Sequence, residues 1–524
     1  MIKLSKFALI LAATSALSLP SHAVTFNIHN GGDVTSLDPH KISGDWENRP
    51  VGDMFEGLMT EDVYGKPMLG TAQSFEQSED GLTYIFKLKE GLKWSDGSLL
   101  TAGDYEYAFK RLFNPATAAS YAWLQFSVKN AEEYATGKAT ADDVGVKALD
   151  DLTLEFTLKE PTPYFLGALT HYTAYPVPQK VVEQYGDAWV KLENIVVNGP
   201  YKPVEWVPGS HVKSVINAEW YDVPSLKIDD VIYTTLEDES TALRTFEAGD
   251  FDWVTVYPKD QFKRLLKETP EVLRVEPMAG LYYYVINNEK EPFTNPDIRK
   301  ALSMSINRKA IADDIIGSGE VPAFSWVPPG MDNYGEPAQV EWAALPYGER
   351  VKMAKEILEA NGYNKKNPLK FTLRYNTNEN HKRIAIAVAA MWKAIGAEVE
   401  LFNNETKVHY ADLEEGDFEV GRAGWLADYN DPINFLALLQ GGYGNNYGRY
   451  ANPDYDALLN QAGKEIDLSK RAEILVEAEQ IALNDSAAIP IYYYVTENLL
   501  STKIHGWENN NFDIHRTRWI SKDE

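Results

Sequence analysis

The sequence predicts a multidomain protein of the α/β or α+β class, and three observations support this prediction. The chain has 524 residues, which is too long for a single hydrophobic core, so about two or three domains are expected. Hydrophobic residues make up 44% of the chain and aromatic residues 12%, which is sufficient for globular cores. Segments that alternate like strands are interleaved with segments of helical spacing along the whole chain.

Individual elements follow from these periodicities and from signals at their ends. Residues 82–88 and 152–158 alternate as half-buried strands, and residues 397–403 have strand character after a helix, as in an α/β unit. Three segments have helical spacing with a capping pattern at the start or a glycine at the end, namely 101–114, 349–363 and 381–396. No Pro/Gly/Ser-rich linker divides the chain, which is typical of domains joined by several strands.

The composition excludes several classes of partner and site. The formal net charge is −27, whereas binding to nucleic acid or to an anionic membrane needs a basic surface. The chain has no cysteine, so disulfides, thiolate catalysis and cysteine-ligated metals are excluded. Its histidines show no i, i+4 pairing, and we expect neither a cofactor nor a metal.

The N-terminus has the composition of a cleavable secretory signal peptide. Lys3 and Lys6 precede a short apolar run at 7–19, and Ser21-His22-Ala23 follows as a small-x-small cleavage site. The run is too short for a stable membrane anchor, so we expect residues 1–23 to be removed and the product to be exported without membrane insertion. Because no cysteine is present for lipidation, retention near the cell needs an outer membrane, which predicts the periplasm of a Gram-negative bacterium.

The most informative segment is 422–432, which reads RAGWLADYNDP. It places the carboxylate of Asp428 between the aromatic residues Trp425 and Tyr429 and next to turn-forming residues. Small residues in the segment let the backbone approach a ligand closely. The segment contains no evident nucleophile and no metal-ligand spacing, so it favours capture of a ligand over its conversion. From these residues alone, an Asx-turn cap is an equally good interpretation of Asp428.

The same segment resembles the signature of periplasmic oligopeptide-binding proteins of peptide ABC importers. The likeness extends over the whole mature chain, with the motifs in the family's order and spacing. Six further segments carry it: SLDPHKI (36–42), FEGL (55–58), GLKWSDG (91–97), NGPY (198–201), YYYVINNEKEPF (282–293) and IPIYYYV (489–495). The resemblance implies a member of solute-binding protein family 5, with a type-II-like periplasmic binding protein fold of three α/β lobes.

The resemblance also implies the domain boundaries. The expected ranges are 24–55, 180–280 and 496–524 for a discontinuous domain I, 56–179 for an inserted domain II, and 281–495 for domain III. The segments 282–285 and 492–495 are the expected hinge strands between domains I and III. Their residues Tyr283 and Tyr494 are candidate peptide contacts, with a core role as the alternative.

For the ligand site, the resemblance implies that Asp428 binds the α-ammonium group of a peptide. Trp425 and Leu426 match positions whose backbone pairs with the ligand, and Tyr121 is expected to cover the ligand's first residues from domain II. Arg422 matches an arginine near the site, with a structural ion pair as the alternative.

Other positions are expected to set ligand preference. Asn376 and His381 match positions that meet a ligand's C-terminal end or side chains, although a histidine at a helix start also commonly caps or faces solvent. Ser43 stands where relatives carry an acidic residue that lines the cleft. Thr406 replaces a pocket-forming tryptophan, and Leu413 replaces a basic residue. These departures predict smaller, less charged side-chain pockets.

Together these features predict a binding protein and not an enzyme. We expect a monomer that captures short peptides in a closing cleft and delivers them to an inner-membrane ABC permease. The alternatives are the same fold with dipeptides, muropeptides or another small ligand, and a secreted hydrolase whose catalytic carboxylates are hidden among 77 acidic residues. Asp428 favours ligands with a free amine, and the lack of a histidine-rich site disfavours nickel complexes.

Overall fold

The computed structural model of the protein describes residues 23–523. Three sheets of seven, six and four strands organise the chain, and two further pairs of short strands complete the described β-structure. The predicted signal peptide, apart from Ala23, lies outside the described residues. In the described part of the chain, no helix is both long and apolar enough to cross a membrane.

The strands of each sheet come from distant parts of the chain. In spatial order, the seven-stranded sheet contains Leu273–Arg274, Asn498–Leu500, Trp253–Val254, Thr25–Gly31, Asp230–Thr235, His211–Ile216 and Tyr201–Val207. The six-stranded sheet contains Val321–Pro322, Ala488–Val495, Pro277–Ile286, Val420–Leu426, Leu369–Asn376 and Ala397–Asn404. The four-stranded sheet contains Ala72–Gln77, Thr83–Leu88, Thr153–Thr157 and Val146–Asp150. The short pairs are Met59–Glu61 with Pro67–Leu69, and Ile504–His505 with Ser521–Lys522.

Helices connect and cover these sheets. The α-helices of the described chain are Asp45–Met54, Ala102–Phe113, Ala131–Ala135, Phe165–Ala168, Gln179–Tyr185, Glu239–Glu247, Phe262–Glu268, Pro296–Met304, Arg308–Ala310, Tyr347–Ala360, Glu379–Ala394, Thr406–Glu415, Ile433–Leu436, Pro453–Ala462 and Leu468–Asn484. Their starts follow local capping chemistry. Thr101 and Asp104 form a capping box at the second helix, and Asp467 accepts the N–H groups of Ser469 and Lys470 at the last helix.

Two large hydrophobic cores divide the described residues into two lobes. One core is shared by the seven-stranded and four-stranded sheets and includes Phe26, Phe156 and Trp253. The other lies around the six-stranded sheet and includes Tyr283 and Trp392. We call the part of the chain around the first core the first lobe, and the part around the second core the second lobe. Because each lobe has its own core, the two can move against each other as bodies.

Two neighbouring strands carry the chain between the lobes. The strand Pro277–Ile286 follows Leu273–Arg274 of the seven-stranded sheet within three residues, and Ala488–Val495 is followed by Asn498–Leu500 of that same sheet. The two long strands are antiparallel partners, with Pro277 opposite Val495. The lobes are therefore joined by a narrow paired connection, which is the arrangement of a hinge.

The predicted elements are present, with small shifts at their ends. The helices predicted at 101–114, 349–363 and 381–396 are Ala102–Phe113, Tyr347–Ala360 and Glu379–Ala394, and the strand predicted at 397–403 is Ala397–Asn404. The α/β class is confirmed by the mixed sheets. The exact division into domains I, II and III stays a prediction.

Candidate functional site

The strand Val420–Leu426 has one edge that is only partly paired. Along one side it is antiparallel to Pro277–Ile286 over all seven residues. Along the other side it pairs with Leu369–Asn376 only at Val420 and Gly421. The remainder of that edge, which contains most of the RAGWL sequence, is available for another extended chain.

The hydrogen-bond pattern identifies which backbone groups face the open edge. The N–H of Ala427 donates to the carbonyl of Ala279 at 2.8 Å, directly opposite it in the antiparallel register. Because such pairs alternate, the N–H and C=O groups of Gly424 and Leu426 point away from Pro277–Ile286. The open edge therefore lies at Gly424 and Leu426, and the backbone of Trp425 faces the neighbouring strand instead.

Asp428 follows this strand and faces the cleft between the lobes. Asp428 lines a cavity of about 40 Å³ together with Asn48 and His171 of the first lobe. Desolvation by burial raises the pKa of Asp428 to about 6, and a side-chain hydrogen bond with Asn434 partly opposes the shift. Within residues 23–523, no basic side chain forms an ion pair with Asp428, whereas Arg516 of the same cavity pairs with Glu61 at 3.4 Å.

The loop that carries Asp428 is fixed by neighbouring side chains. Asp431 accepts two hydrogen bonds from Arg471, at 2.7 and 2.8 Å, and both side chains are buried. The same Asp431 accepts the N–H of Ile433 at 3.0 Å, so it makes the Asx turn that was the alternative role for Asp428. Trp425 donates its indole N–H to Asn434 at 2.6 Å. The loop is thus held without using the carboxylate of Asp428 in an ion pair.

Arg422 is a second charge without a counter-ion. It is 7% exposed and donates to Asn376 at 3.3 Å, Tyr410 at 3.2 Å and Tyr494 at 2.7 Å. Its guanidinium carbon lies 4.7 Å from the ring centre of Tyr282. Its acceptors are neutral, and no carboxylate pairs with it in the described chain, so the ion-pair alternative is absent from this structure.

Two more polar atoms near Arg422 have no hydrogen-bond partner. The Nε of Arg422 is buried and unpartnered, and so is the Nδ1 of His381. The His381 ring contacts Tyr282 at 5.5 Å, and burial lowers its pKa to about 3, with a further contribution from Arg422. Arg422, Asn376, His381 and Tyr494, which were predicted separately, therefore lie in one cluster. Such unsatisfied polar groups are expected where a ligand or water binds.

The other predicted residues have different positions. Tyr121 packs against His171 and Tyr172 at 5.9 and 6.3 Å, and its pKa is raised by burial and then by the charge of Asp428. Ser43 is exposed, and its N–H donates to Glu47 at 3.0 Å. Tyr283 is 3% exposed and lies edge-on to Trp326 in the second core, which favours the core role over ligand contact.

The structure also shows where two residues lie that differ from the pattern of the family. Leu413 is fully buried in the second core, whereas Thr406 is the first residue of an exposed helix start.

Gly424 was not predicted as a site residue. A Cβ there would lie 2.7 Å from the hydroxyl of Tyr494 and 2.9 Å from Nη2 of Arg422, so the close approach requires glycine. Side chains along a strand alternate between its two faces, so Gly424 lies on the same face as Arg422. This alternation would have indicated Gly424 as a site position.

Comparison with known proteins identifies the family. The model of bacterial extracellular solute-binding proteins, family 5 Middle, matches residues 66–447. The periplasmic oligopeptide-binding protein OppA of Salmonella typhimurium is 40% identical over 483 residues, which cover 91% of this chain and 89% of that protein. The periplasmic murein peptide-binding protein MppA of Escherichia coli is 36% identical over 501 residues, which cover 94% of this chain and 93% of that protein. This chain belongs to the family 5 extracellular solute-binding proteins.

Solved structures agree in fold and also indicate the conformation. The unliganded open form of MppA matches with a TM-score of 0.89 at 34% identity, covering 96% of this chain and 98% of that one. A second structure of Escherichia coli MppA matches with a TM-score of 0.77 at 34% identity and covers 96% of this chain and 99% of that one. Haemophilus influenzae OppA in complex with RPPGFSPFR matches with a TM-score of 0.76 at 36% identity and also covers 96% of this chain and 99% of that one. The lobes here are therefore arranged as in the open form.

Proposed function

We propose that this protein is the periplasmic substrate-binding component of an ABC importer and captures short peptides. The single observation that carries the proposal is that one strand and the loop after it hold two opposite charges, Arg422 and Asp428, each without a counter-ion, with an open β-edge between them. The names and bound peptide of the relatives support this proposal.

The chemistry of the site matches the two ends and the backbone of a peptide. A free amino terminus supplies the cation that Asp428 lacks, and a carboxylate at the other end or on a side chain supplies the anion that Arg422 lacks. Between them, the backbone groups of Gly424 and Leu426 can add an extended peptide to the sheet. These contacts use groups that all peptides share, so the side chains of the cargo can vary.

The spacing of the two charges limits the length of a peptide that meets both. Six residue steps separate Arg422 from Asp428, which at strand geometry is roughly 20 Å. A fully extended peptide covers about 3.3–3.6 Å per residue, and the long side chain of Arg422 shortens the gap. We therefore expect peptides of about three to five residues to contact both ends, and longer ones to be held mainly by Asp428.

Closure of the two lobes is the expected signal to the transporter. A peptide that contacts both lobes favours the closed arrangement by its differential affinity for it. An inner-membrane ABC permease can then recognise the closed shape, while ATP is hydrolysed elsewhere. We infer that the protein acts as a periplasmic monomer without catalysis, because the site offers charge and backbone complementarity and relatives are named as binding proteins.

Other cargoes of the same architecture make different demands on the site. A dipeptide is too short to meet both charges, and a muropeptide whose amine is acylated leaves Asp428 unpaired. The probable deoxycholate-binding periplasmic protein YgiS of Escherichia coli, 36% identical over 489 residues, has a name that specifies an anion without an amine. The buried, unpaired carboxylate of Asp428 therefore favours peptides with a free amino terminus over these ligands.

The test is to incubate the purified mature protein with a defined mixture of two- to eight-residue peptides. Mass spectrometry of the bound and free fractions should show intact peptides of about three to five residues enriched in the bound fraction. The Asp428→Asn variant, treated identically, should show no enrichment. Cleaved products in the free fraction would indicate a hydrolase, and an empty bound fraction would remove peptides as the cargo.

A further inference from the structure

A cavity of about 510 Å³ lies between the lobes and is distinct from the small cavity that contains Asp428. Its first wall comes from residues 123–127 and 159–164 of the first lobe, and its second wall from residues 429–443 and 459–471 of the second lobe. Among the described residues, Tyr429 alone lines both cavities. Small-molecule sites have volumes of about 300–1,000 Å³, so this cavity has room for a ligand of its own.

The lobes contact each other at two places on the boundary of this cavity. The ring of Tyr164 from the first lobe stacks on that of Tyr429 from the second, with centroids 4.4 Å apart and planes inclined by 13°. Ile466 of the second lobe approaches the first lobe at Gly81, where an added Cβ would lie 3.4 Å from its Cγ2 atom. The two walls are therefore held at a defined separation in this arrangement of the lobes.

Aromatic rings from both lobes form part of the lining. Trp123 and Tyr443 are 43% and 39% exposed, although side chains of this size are usually more buried. Tyr164 and Tyr429 line the cavity as well, and Trp123 is supported from behind by the ring of Tyr121 at 5.8 Å. Such rings offer flat apolar surfaces that suit an aromatic body between them.

Lysine side chains from opposite lobes also line this cavity. Lys159 belongs to the first lobe, and its Nζ lies 3.9 Å from the carboxylate of Glu132 in an exposed pair. Lys464 belongs to the second lobe and forms no ion pair within residues 23–523. In the part of the chain that the structure describes, Glu160 is the one acidic residue of the lining. Two ammonium groups on facing walls repel each other unless an anion lies between them.

Polar atoms without a hydrogen-bond partner occur on both walls. Arg471 lines the second wall, and its side chain is 2% exposed. Its two Nη atoms donate to Asp431, which matches its charge, but its Nε has no partner in the described chain. Ser127 lines the first wall, and its Oγ is likewise buried and unpartnered. Buried polar groups nearly always have a partner, so these two indicate that an acceptor is missing from the cavity.

We propose that this cavity binds an aromatic carboxylate of about two rings, at a site separate from that of the peptide. The rings of both lobes enclose its apolar body, and the ammonium groups of Lys159 and Lys464 attract its carboxylate. The site uses neither Asp428 nor Arg422. The proposal therefore goes beyond peptide capture and does not depend on it.

The test compares 2-naphthoate with 2-naphthamide, its uncharged analogue of the same shape, by isothermal titration calorimetry. The wild-type protein should bind 2-naphthoate more tightly by roughly 3- to 10-fold, the range for one or two partly exposed ion pairs. The double variant Lys159→Gln/Lys464→Gln should bring this ratio close to one by weakening only 2-naphthoate. Trp123→Ala should weaken both compounds and keep the ratio, because it removes a ring and no charge.

The matched control is the double variant Lys138→Gln/Lys470→Gln. These are exposed lysines, one from each lobe, that do not line the cavity, so the ratio should stay at the wild-type value. Melting curves of all variants establish that the fold is intact, which is expected because Lys159, Lys464 and Trp123 are exposed.

The variant Arg422→Gln separates this cavity from the proposed peptide site, because Arg422 also lacks a counter-ion. The preference for 2-naphthoate should persist in Arg422→Gln. A preference that is lost there but kept in Lys159→Gln/Lys464→Gln would assign the anion to the peptide site and overturn the proposal. Absence of binding to the wild-type protein, or equal affinity for the two compounds, would overturn it as well. Tripeptide affinity, measured in Lys159→Gln/Lys464→Gln, should equal that of the wild type, so the proposed function is tested independently.

Discussion

Two opposite charges, each without a counter-ion in the described chain, define the proposed site at the scale of single residues. Asp428 is a carboxylate whose pKa is raised to about 6, chiefly by desolvation, and Arg422 is a buried guanidinium among phenols and an amide. A protein that only needed stability would gain by pairing or removing such groups. Under the proposed function, a ligand supplies the missing charges, as expected at functional sites.

Replacement of Asp428 should separate binding from stability. Asp428→Asn is expected to weaken the binding of a free-amine tripeptide by about 2–5 kcal/mol, because the peptide ammonium would then be buried without a counter-charge. The folded-state pKa lies above the unfolded value, so the ionised group lowers the free energy of unfolding as the pH rises from about 4 to about 6 and above. The variant should therefore melt at the same or a higher temperature than the wild type at pH 7.5. Calorimetry and differential scanning fluorimetry give both quantities, and a large fall in melting temperature would show a structural role instead.

Peptide affinity should also depend on pH through the same group. Below a pH of about 6 the carboxyl of Asp428 becomes protonated in the free protein and no longer attracts an ammonium group. Affinity should then fall as the pH decreases from 6.5 to 4.5, by up to about tenfold per pH unit. Titrations at four pH values measure this, with Asp428→Asn as the control that should lose the dependence. A flat profile in the wild type would exclude Asp428 as the ammonium site.

At the scale of elements, the strand Val420–Leu426 and the loop that follows it combine the two charges with the backbone groups between them. Its edge is open because Leu369–Asn376 pairs with it only at Val420 and Gly421. Arg422, Gly424 and Leu426 alternate with residues bonded to Pro277–Ile286, so one strand presents both a charged side chain and free backbone groups. Under the proposed function, this strand is the template to which an extended peptide adds.

Gly424 is the position at which this strand is most sensitive to substitution. Gly424→Ala would place a Cβ within 3 Å of the hydroxyl of Tyr494 and of Nη2 of Arg422, which displaces the guanidinium. We expect a loss of tripeptide affinity of tenfold or more with a small change in melting temperature. Gly348→Ala is the matched control, since nothing lies within 4 Å of a Cβ at Gly348. Unchanged affinity in Gly424→Ala would show that the open edge is not used.

The identities of the candidate site residues could be predicted from the sequence more fully than their arrangement in space. Asp428 and Arg422 stand in a recognisable motif, and local periodicity was sufficient for helices such as Ala102–Phe113. The orientation of the backbone at Trp425 and Gly424 depends on the register with Pro277–Ile286, about 140 residues earlier, which no local pattern encodes. The ion pair of Arg471 with Asp431 joins residues 40 positions apart, so no local pattern could show that it anchors the loop of Asp428.

At the scale of the whole molecule, two lobes with separate cores are joined by paired strands and are arranged as in the unliganded open form of MppA. A small ionic cluster bridges the lobes near this hinge. Lys259 of the first lobe pairs with Glu497, just after the crossing strand, and lies 3.6 Å from Glu320 of the second lobe. The cluster is therefore in a position to stabilise the open arrangement.

Removal of this cluster should shift the balance toward closure. Lys259→Met is expected to increase peptide affinity, because less free energy is then needed to leave the open state. The increase should be up to about fivefold, which is the range for a partly exposed ion pair. Lys290→Met is the control, since Lys290 is equally exposed at 41% and pairs with Asp417 within the second lobe. Small-angle scattering of the free proteins should show a smaller radius of gyration for Lys259→Met alone. An unchanged or weaker affinity would mean that the cluster does not oppose closure.

The most direct test of the central claim is a calorimetric comparison of one tetrapeptide with a free amino terminus and the same peptide acetylated there. Capture of the ammonium by Asp428 predicts that acetylation lowers the affinity at least 100-fold at pH 7.5, because the carboxylate is then enclosed without a cation. Equal affinities for the two peptides would contradict the account.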